Sequence, residues 1–98
     1  MGKNEAIETV RKYKERVLSQ FGPATVYLFG SCSRDAAGPN SDIDVAVVVP
    51  AVNDDYLTAS SKLWSLTWDV STLIEPVLID QRYPSPLYEE VLLTGVLV

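Results

Sequence analysis

The sequence predicts a small α/β domain of the α+β type, and three observations favour this class. Its 98 residues are the length of one domain. Short apolar segments rich in β-branched residues alternate with longer amphipathic segments, as strands and helices of one fold do. The hydrophobic share of 47% is ordinary for a globular protein and argues against disorder. We therefore expect a single domain over residues 1–98.

The composition excludes several classes of function. The net charge of −5 argues against an extended nucleic-acid footprint, which normally needs a basic face. The sequence contains no histidine, so catalysis or metal ligation by histidine is excluded. The longest apolar run is too short to span a bilayer, and the first residues do not form a signal peptide. Together with the single Cys32, which rules out an internal disulfide, these features predict a cytoplasmic protein without a membrane segment.

The first predicted helix covers residues 4–20. Its apolar side chains recur at helical spacing, and Gly22 with Pro23 should end it. Its basic side chains lie mostly off the apolar stripe and indicate a solvated face, with docking of phosphate or an acidic partner as the alternative. The positions expected to face the core are Ala6, Val10, Tyr13 and Val17.

A second helix is predicted over residues 53–70, with Asn53 as its N-cap. It carries two apolar stripes, whereas an outer helix of a small domain needs only one. One stripe should pack on the sheet. The other is a candidate surface for a partner protein or for a second copy of the chain, unless the C-terminal segment covers it. The first stripe consists of Ala59, Leu63, Leu66 and Val70, and the second, the tryptophan stripe, of Leu57, Trp64 and Trp68.

Three strands are predicted, over residues 24–29, 42–49 and 72–80. The second strand contains the uninterrupted apolar run 45–49, which indicates a central strand covered on both faces. Pro76 places the third strand at an edge of the sheet or at a bulge, because proline cannot donate to a neighbouring strand.

The last part of the chain predicts a short helix and an apolar tail. Ser85 can cap this helix, which should end before Gly95. The tail, residues 96–98, is apolar throughout. We expect it to return to the body of the domain or to contact a partner.

An Asp-x-Asp pair at the start of the second predicted strand has the clearest chemistry. Asp42 and Asp44 are two residues apart, so both carboxylates should lie on one face while Ile43 enters the core. Carboxylate oxygens are ligands that Mg²⁺ prefers. Two such ions about 3.5–4 Å apart can activate an attacking oxygen and stabilise a leaving pyrophosphate. The pair therefore predicts a metal site, although Asp-x-Asp by itself is more often a solvated turn.

A Gly-Ser dipeptide follows the first predicted strand and is separated from the Asp-x-Asp pair by ten residues. Gly30 would let a phosphate approach the backbone closely, and Ser31 adds a hydroxyl. Arg34 could reach the same phosphates with its planar set of donors. Gly-Ser alone is usually only a turn. The combination of strand, Gly-Ser, polar loop and Asp-x-Asp predicts a site for a nucleoside triphosphate and its metal ions.

Gly30-Ser31, ten intervening residues and Asp42-Ile43-Asp44 together resemble the signature of the DNA polymerase beta-like nucleotidyltransferase superfamily. Residues 31–34 and 38–44 resemble its small stand-alone branch, the minimal nucleotidyltransferases. The resemblance implies a small mixed β-sheet flanked by helices, with Mg²⁺ ions at the Asp-x-Asp pair. It implies transfer of a nucleoside monophosphate, AMP from ATP being the expected case, to an acceptor hydroxyl. It also implies a partner, a helical HEPN-type toxin, for which the minimal nucleotidyltransferase serves as antitoxin.

The family also places a third carboxylate on a later strand. Glu75, inside the third predicted strand, is the first candidate, and Asp69 and Asp80 at the two ends of that strand are alternatives. A carboxylate in this place would complete the metal site and help to activate the acceptor hydroxyl. The sequence departs from the family at Asp35, which follows Arg34 where glycine is common and puts an acid beside the proposed phosphate site.

Two function hypotheses from different classes follow. The first is a Mg²⁺-dependent nucleotidyltransferase that modifies a partner toxin. The alternative is a non-catalytic antitoxin or protein-interaction module that retains the fold, and the tryptophan stripe motivates it. A third hypothesis, a purely structural domain in which the motif is coincidental, has no feature of its own in its favour.

Overall fold

The computed structural model describes residues 2–30 and 42–98. Within these ranges the chain forms three α-helices, four strands and a short 3₁₀ segment between the second helix and the third strand. In chain order the elements are α1 (Lys3–Phe21), β1 (Thr25–Phe29), β2 (Ile43–Val49), α2 (Tyr56–Ser65), the 3₁₀ segment (Leu66–Asp69), β3 (Ile74–Asp80), α3 (Pro86–Thr94) and β4 (Val96–Leu97). None of the helices in the described ranges is long and apolar enough to cross a bilayer.

The described strands form one mixed sheet in the order β3-β2-β1-β4. β2 pairs antiparallel with β1 and parallel with β3, and β4 pairs antiparallel with β1. The predicted mixed sheet flanked by helices is confirmed, as are the central position of β2 and the edge position of the strand that contains Pro76. The apolar tail returns to the domain, because it forms β4 beside β1.

The larger core lies on the sheet face covered by α1 and α2. The four positions of α1 predicted to face the core are fully buried, as the helical period requires. They pack against alternate residues of β2 and against Ala59 and Leu63 of α2. The members contributed by β2 are Ile43, Val45, Val47 and Val49.

The opposite face of the sheet is covered only by α3 among the described elements. Val91 of α3 is buried against Ala46 and Val48 of β2 and Ile79 of β3. This second core is much smaller than the first. On the same face of β2, the positions before Ala46 are occupied by acidic residues, so the apolar cover stops there.

The second helix is shorter than predicted and begins later. The prediction placed its N-cap at Asn53, but the cap is Asp55, whose carboxylate accepts a hydrogen bond from the backbone N–H of Thr58 at 3.1 Å. Asn53 and Asp55 are both good capping residues, so the local sequence does not choose between them. The predicted N-cap is therefore two residues too early.

The end of this helix also differs from the prediction, and two hydroxyl groups bond carbonyl oxygens close to it. The buried hydroxyl of Tyr13 donates to the carbonyl oxygen of Leu63 at 2.6 Å. The hydroxyl of Thr67 donates to the carbonyl oxygen of Trp64 at 2.7 Å. After Ser65 the chain continues as the 3₁₀ segment, whereas the prediction extended the α-helix to residue 70.

The tryptophan stripe faces solvent. Leu57, Trp64 and Trp68 are 73%, 44% and 78% exposed, whereas Ala59 and Leu63 of the first stripe are buried. The C-terminal segment lies on the opposite face of the sheet or beside β1, so the alternative that it covers the tryptophan stripe is wrong.

Candidate active site

Strand pairing brings the three acidic side chains together. Asp44 in β2 lies directly across from Glu75 in the parallel neighbour β3. Residues paired across neighbouring strands point to the same face, and so do residues two apart along one strand. Asp42, immediately before β2, therefore joins Asp44 and Glu75 on the face that α3 covers further along.

The close approach of these side chains is visible in their electrostatics. The Asp42 carboxylate raises the pKa of Glu75 by charge repulsion, and desolvation, a hydrogen bond between the two side chains and the charge of Asp44 act in the same direction. Partial burial raises the pKa of Asp44, with the charge of Asp42 as the second cause. Like charges crowded on one face, without a cation between them, produce this pattern.

The alternative third carboxylates are engaged elsewhere. Asp69 accepts a hydrogen bond from the Arg16 guanidinium of α1 at 2.9 Å. Asp80, at the other end of β3, accepts from the Arg82 guanidinium and from the backbone N–H of Val52, each within 3.0 Å. Among the three candidates, the structure places only Glu75 beside the Asp-x-Asp pair.

The three carboxylates are suitable donors for Mg²⁺, but they are not yet arranged as a metal site. Among the described residues, no three acidic or sulfur side chains already hold a geometry that could bind a metal ion. The hydrogen bond between Asp42 and Glu75 brings these two side chains into direct contact. A cation bound between the carboxylates would relieve the repulsion that raises the pKa of Glu75.

Gly30 touches the site in a way that the sequence did not reveal. Its φ angle is +73°, a conformation that side-chain-bearing residues rarely adopt. A Cβ atom at this position would collide with Oδ2 of Asp44. The space beside the Gly30 backbone is thus occupied by the Asp44 carboxylate, which depends on glycine being there.

Two further residues predicted to bind phosphate, Ser31 and Arg34, lie outside the described residues. The described part of the site therefore consists of the three carboxylates and Gly30. Phe29, which is paired with Asp44 across β1 and β2, was not predicted as a neighbour of the site. Only the strand register identifies it, because nothing in the local sequence links positions 29 and 44.

Two cavities lie away from the carboxylates. One of about 290 Å³ is lined by Val49, Leu78 and Lys62 among others. Another of about 480 Å³ is lined by residues that include Leu78 and Arg82. Both are at the end of the sheet where β2 and β3 finish, and none of the three carboxylates lines either of them. The three carboxylates lie at the opposite end of these two strands.

Comparison with known proteins identifies the family to which the chain belongs. Residues 10–91 match the family model described as the nucleotidyltransferase domain. This match covers most of the chain, so the protein belongs to the nucleotidyltransferase domain family. The membership confirms the resemblance seen in the sequence and is consistent with a minimal nucleotidyltransferase. No curated protein matches the sequence.

Several solved structures share the fold. A candidate nucleotidyltransferase from Sulfolobus solfataricus superposes with a TM-score of 0.70 at 19% identity, over 97% of this chain and 80% of its own. A chain of the toxin–antitoxin complex MntA–HepT gives a TM-score of 0.60 at 25% identity, over 91% of this chain and 68% of its own. A toxin–antitoxin structure with AMP-PNP gives 0.60 at 26% identity, over 99% and 72%. These similarities confirm the predicted fold class.

Proposed function

We propose that the protein is a Mg²⁺-dependent nucleotidyltransferase that transfers AMP from ATP to a hydroxyl group of a HEPN-type partner toxin, and so acts as an antitoxin. The observation that carries the proposal is the placement of Asp42, Asp44 and Glu75 on one face of the adjacent strands β2 and β3. Family membership supports the class of reaction. A similar toxin–antitoxin structure with AMP-PNP supports ATP as the nucleotide.

Asp42, Asp44 and Glu75 are the residues that would hold the metal, as two Mg²⁺ ions. When bound, these ions supply positive charge that stabilises the phosphate oxygens and the leaving group. A similar toxin–antitoxin structure carries a variant in which two aspartates two residues apart are replaced by glutamate, the spacing that Asp42 and Asp44 have here. The carboxylate chemistry and spacing support the assignment of the metal to this face.

The proposed reaction makes and breaks one bond to the α-phosphorus of ATP. The acceptor oxygen forms a bond to this phosphorus, the bond to the oxygen that bridges the α- and β-phosphates breaks, and pyrophosphate leaves with the electron pair. Glu75 accepts the proton of the acceptor hydroxyl. Gly30, Ser31 and Arg34 are proposed to hold the triphosphate, and for Ser31 and Arg34 this rests on the sequence motif.

The tryptophan stripe is the proposed docking surface for the partner toxin rather than for a second copy of the chain. Tryptophan is enriched among residues that dominate binding energy at interfaces. Trp68 belongs to the 3₁₀ segment, and only a tight turn separates this segment from the start of β3, which contains Glu75. A protein docked on the stripe would be held near the end of the sheet that bears the carboxylates.

Transfer of label from ATP tests the enzyme. The protein is incubated with Mg²⁺, a HEPN-type toxin, and ATP labelled with ³²P at either the α- or the γ-phosphate. We expect label on the partner from α-labelled ATP only, because the γ-phosphate leaves with pyrophosphate. Asp42→Asn and Glu75→Gln should each reduce transfer at least about 100-fold, since each removes a group that acts on the reacting atoms.

Glu90→Gln is the matched control, because Glu90 is an exposed glutamate on α3 that should not affect transfer. Circular dichroism must show that all three variants keep the fold. Equal transfer by the wild type and Asp42→Asn would contradict the metal assignment. A partner that binds the chain but receives no label would instead favour the second candidate, a non-catalytic antitoxin, which the exposed tryptophan stripe supports.

A further inference from the structure

The two edges of the sheet, β3 and β4, differ in how well they are protected against pairing with a further strand. The β3 edge carries Pro76, which has no N–H to donate, and the hydroxyl of Tyr56 donates to the carbonyl oxygen of Leu78 on the same strand. Both features stop another strand from pairing there. The β4 edge has neither feature.

The backbone of Leu97 is open at the β4 edge. Val98 donates its N–H to the carbonyl oxygen of Val26 in β1 at 2.9 Å. Because hydrogen-bonding directions alternate along a strand, the N–H and C=O of Leu97 point the other way, away from β1. No strand lies beyond β4 in the part of the chain that the structure describes. An unpaired edge of this kind is a template for another strand.

The side chains around this edge are apolar and exposed. Leu92, Leu93 and Leu97 are 52%, 84% and 64% exposed. Residues 91–98 contain no charged side chain, although a charge is the usual means of blocking an edge. The nearest described cation on α1, Lys14, is engaged, because its ammonium group donates to the carbonyl oxygen of Val98 at 2.8 Å.

We propose that β4 pairs antiparallel with β4 of a second copy of the chain, which joins the two four-stranded sheets into one. A two-fold axis through Leu97 lets each Leu97 N–H donate to the Leu97 C=O of the other copy. This axis is perpendicular to the sheet, so α3 of both copies falls on the same face. Leu97 is paired with Tyr27, which packs on the face that α3 covers, and α3 ends at Thr94, shortly before β4 begins.

A second copy fits this edge better than an unrelated strand because one two-fold axis satisfies two features at once. The axis pairs the open backbone of Leu97, and it brings the exposed leucines of the two copies together. The short length of β4 limits the number of backbone hydrogen bonds, so burial of the leucines must supply most of the stabilisation. The proposal goes beyond nucleotide transfer and does not depend on it, and it leaves the tryptophan stripe of each copy free for a partner protein.

Sedimentation equilibrium tests the dimer at about 100 µM chain, well above the micromolar end of interface affinities. We expect the wild type to have twice the 10.8 kDa mass of one chain. Leu97→Lys should raise the dissociation constant at least about tenfold, because the axis sets the two lysines opposite each other. An equimolar mixture of Leu97→Lys and Leu97→Glu should restore a dimer, since opposite charges then meet.

Trp68→Lys is the matched control, because it places the same charge at a comparably exposed aromatic on the other face of the sheet. It should leave the dimer intact. A wild type that stays monomeric, a Leu97→Lys variant that still dimerises, or loss of the dimer in Trp68→Lys would each overturn the proposal.

Amide hydrogen exchange of the wild type provides a test that needs no variant. The Leu97 N–H should become protected as the chain concentration rises, since only the dimer gives it an acceptor. The Val98 N–H already donates within one chain, so its protection should change much less with concentration. A dimer in which the Leu97 amide stays unprotected would contradict pairing through β4.

Discussion

Gly30 and Asp44 constrain each other across the first and second strands. The backbone at Gly30 has a φ of +73°, and the missing Cβ leaves the space that the Asp44 carboxylate fills. The second aspartate of the Asp-x-Asp pair is therefore held in place partly by a residue that carries no side chain. Replacement of the glycine should affect both the stability of the fold and the position of the carboxylate.

Gly30→Ala should lower the free energy of unfolding by more than Gly22→Ala does. Both glycines have a positive φ, so alanine costs about 1–3 kcal/mol at either position. Only at Gly30 does the new methyl group also collide with Asp44, since a Cβ at Gly22 meets nothing within 4 Å. Urea unfolding of the two variants measures the difference, and nucleotide transfer should fall in Gly30→Ala alone. Equal losses of stability would show that Asp44 moves aside without cost.

For individual residues, the sequence predicted the placement of the Asp-x-Asp carboxylates better than it predicted their contacts. The spacing of Asp42 and Asp44 predicted two carboxylates on one face, which follows from the two-residue period of a strand. The contact between Gly30 and Asp44 was not predicted, and the expected approach of a phosphate to the Gly30 backbone stays a prediction. A contact between positions 30 and 44 depends on the pairing of two strands, and no local pattern encodes that register.

The end of β3 is tied to the loop after β2 by one nearly buried carboxylate. The side chain of Asp80 is 9% exposed and accepts hydrogen bonds from the Val52 N–H and from both the backbone and the side chain of Arg82. Hydrogen bonding from the Arg82 side chain is the main cause that holds the pKa of Asp80 well below its usual value. This connection positions the segment that leads into α2.

Asp80→Asn should destabilise the protein at pH 7, and the deficit should shrink in acid. A folded-state pKa below the unfolded value of about 3.9 means that the charged form stabilises the fold above that pH. The contribution is lost as the pH falls through the folded-state pKa, so the wild type approaches the variant below about pH 4. Urea unfolding at a series of pH values measures the gap. Asp54→Asn, at an exposed aspartate in the same loop, is the control, and its free energy of unfolding should stay close to that of the wild type. If the difference between the wild type and Asp80→Asn did not change with pH, the stabilising role of the charged Asp80 would be contradicted.

Elements with one strong periodic signal were predicted well, and elements with competing signals were not. The stripe of α1 predicted all four of its buried positions, because one helical face meets the core. The second helix had two capping residues near its start and two apolar stripes. Its end depends on the Tyr13 hydroxyl, which comes from fifty residues away in the sequence. Such a bond is a property of the packed fold.

The domain as a whole is stabilised mainly from one side of its sheet. The core under α1 and α2 contains most of the buried side chains, while the core under α3 has four buried members. The tryptophan stripe lies outside both cores. Stability and partner binding should therefore respond to different substitutions on the same helical segment.

Leu63→Ala and Trp68→Ser should separate these two properties. Leu63 is fully buried, so its truncation should cost about 2–5 kcal/mol of unfolding free energy. Trp68 is 78% exposed, and its replacement should change stability by no more than about 0.5 kcal/mol. If the stripe binds the partner toxin, Trp68→Ser should weaken the complex by about 2 kcal/mol, or roughly thirtyfold, in a calorimetric titration. Unchanged affinity would remove the stripe from the interface.

The placement of the carboxylates beyond the smaller core has a consequence for how such a chain can evolve. Asp42 and Glu75 are exposed and belong to neither core, so a single substitution should abolish the chemistry proposed for them without loss of the fold. The like charges they bring together destabilise the metal-free chain, and relaxed selection would favour their loss. A lineage could thus pass in one step from a modifying enzyme to a protein that only binds its partner, with the tryptophan stripe kept throughout.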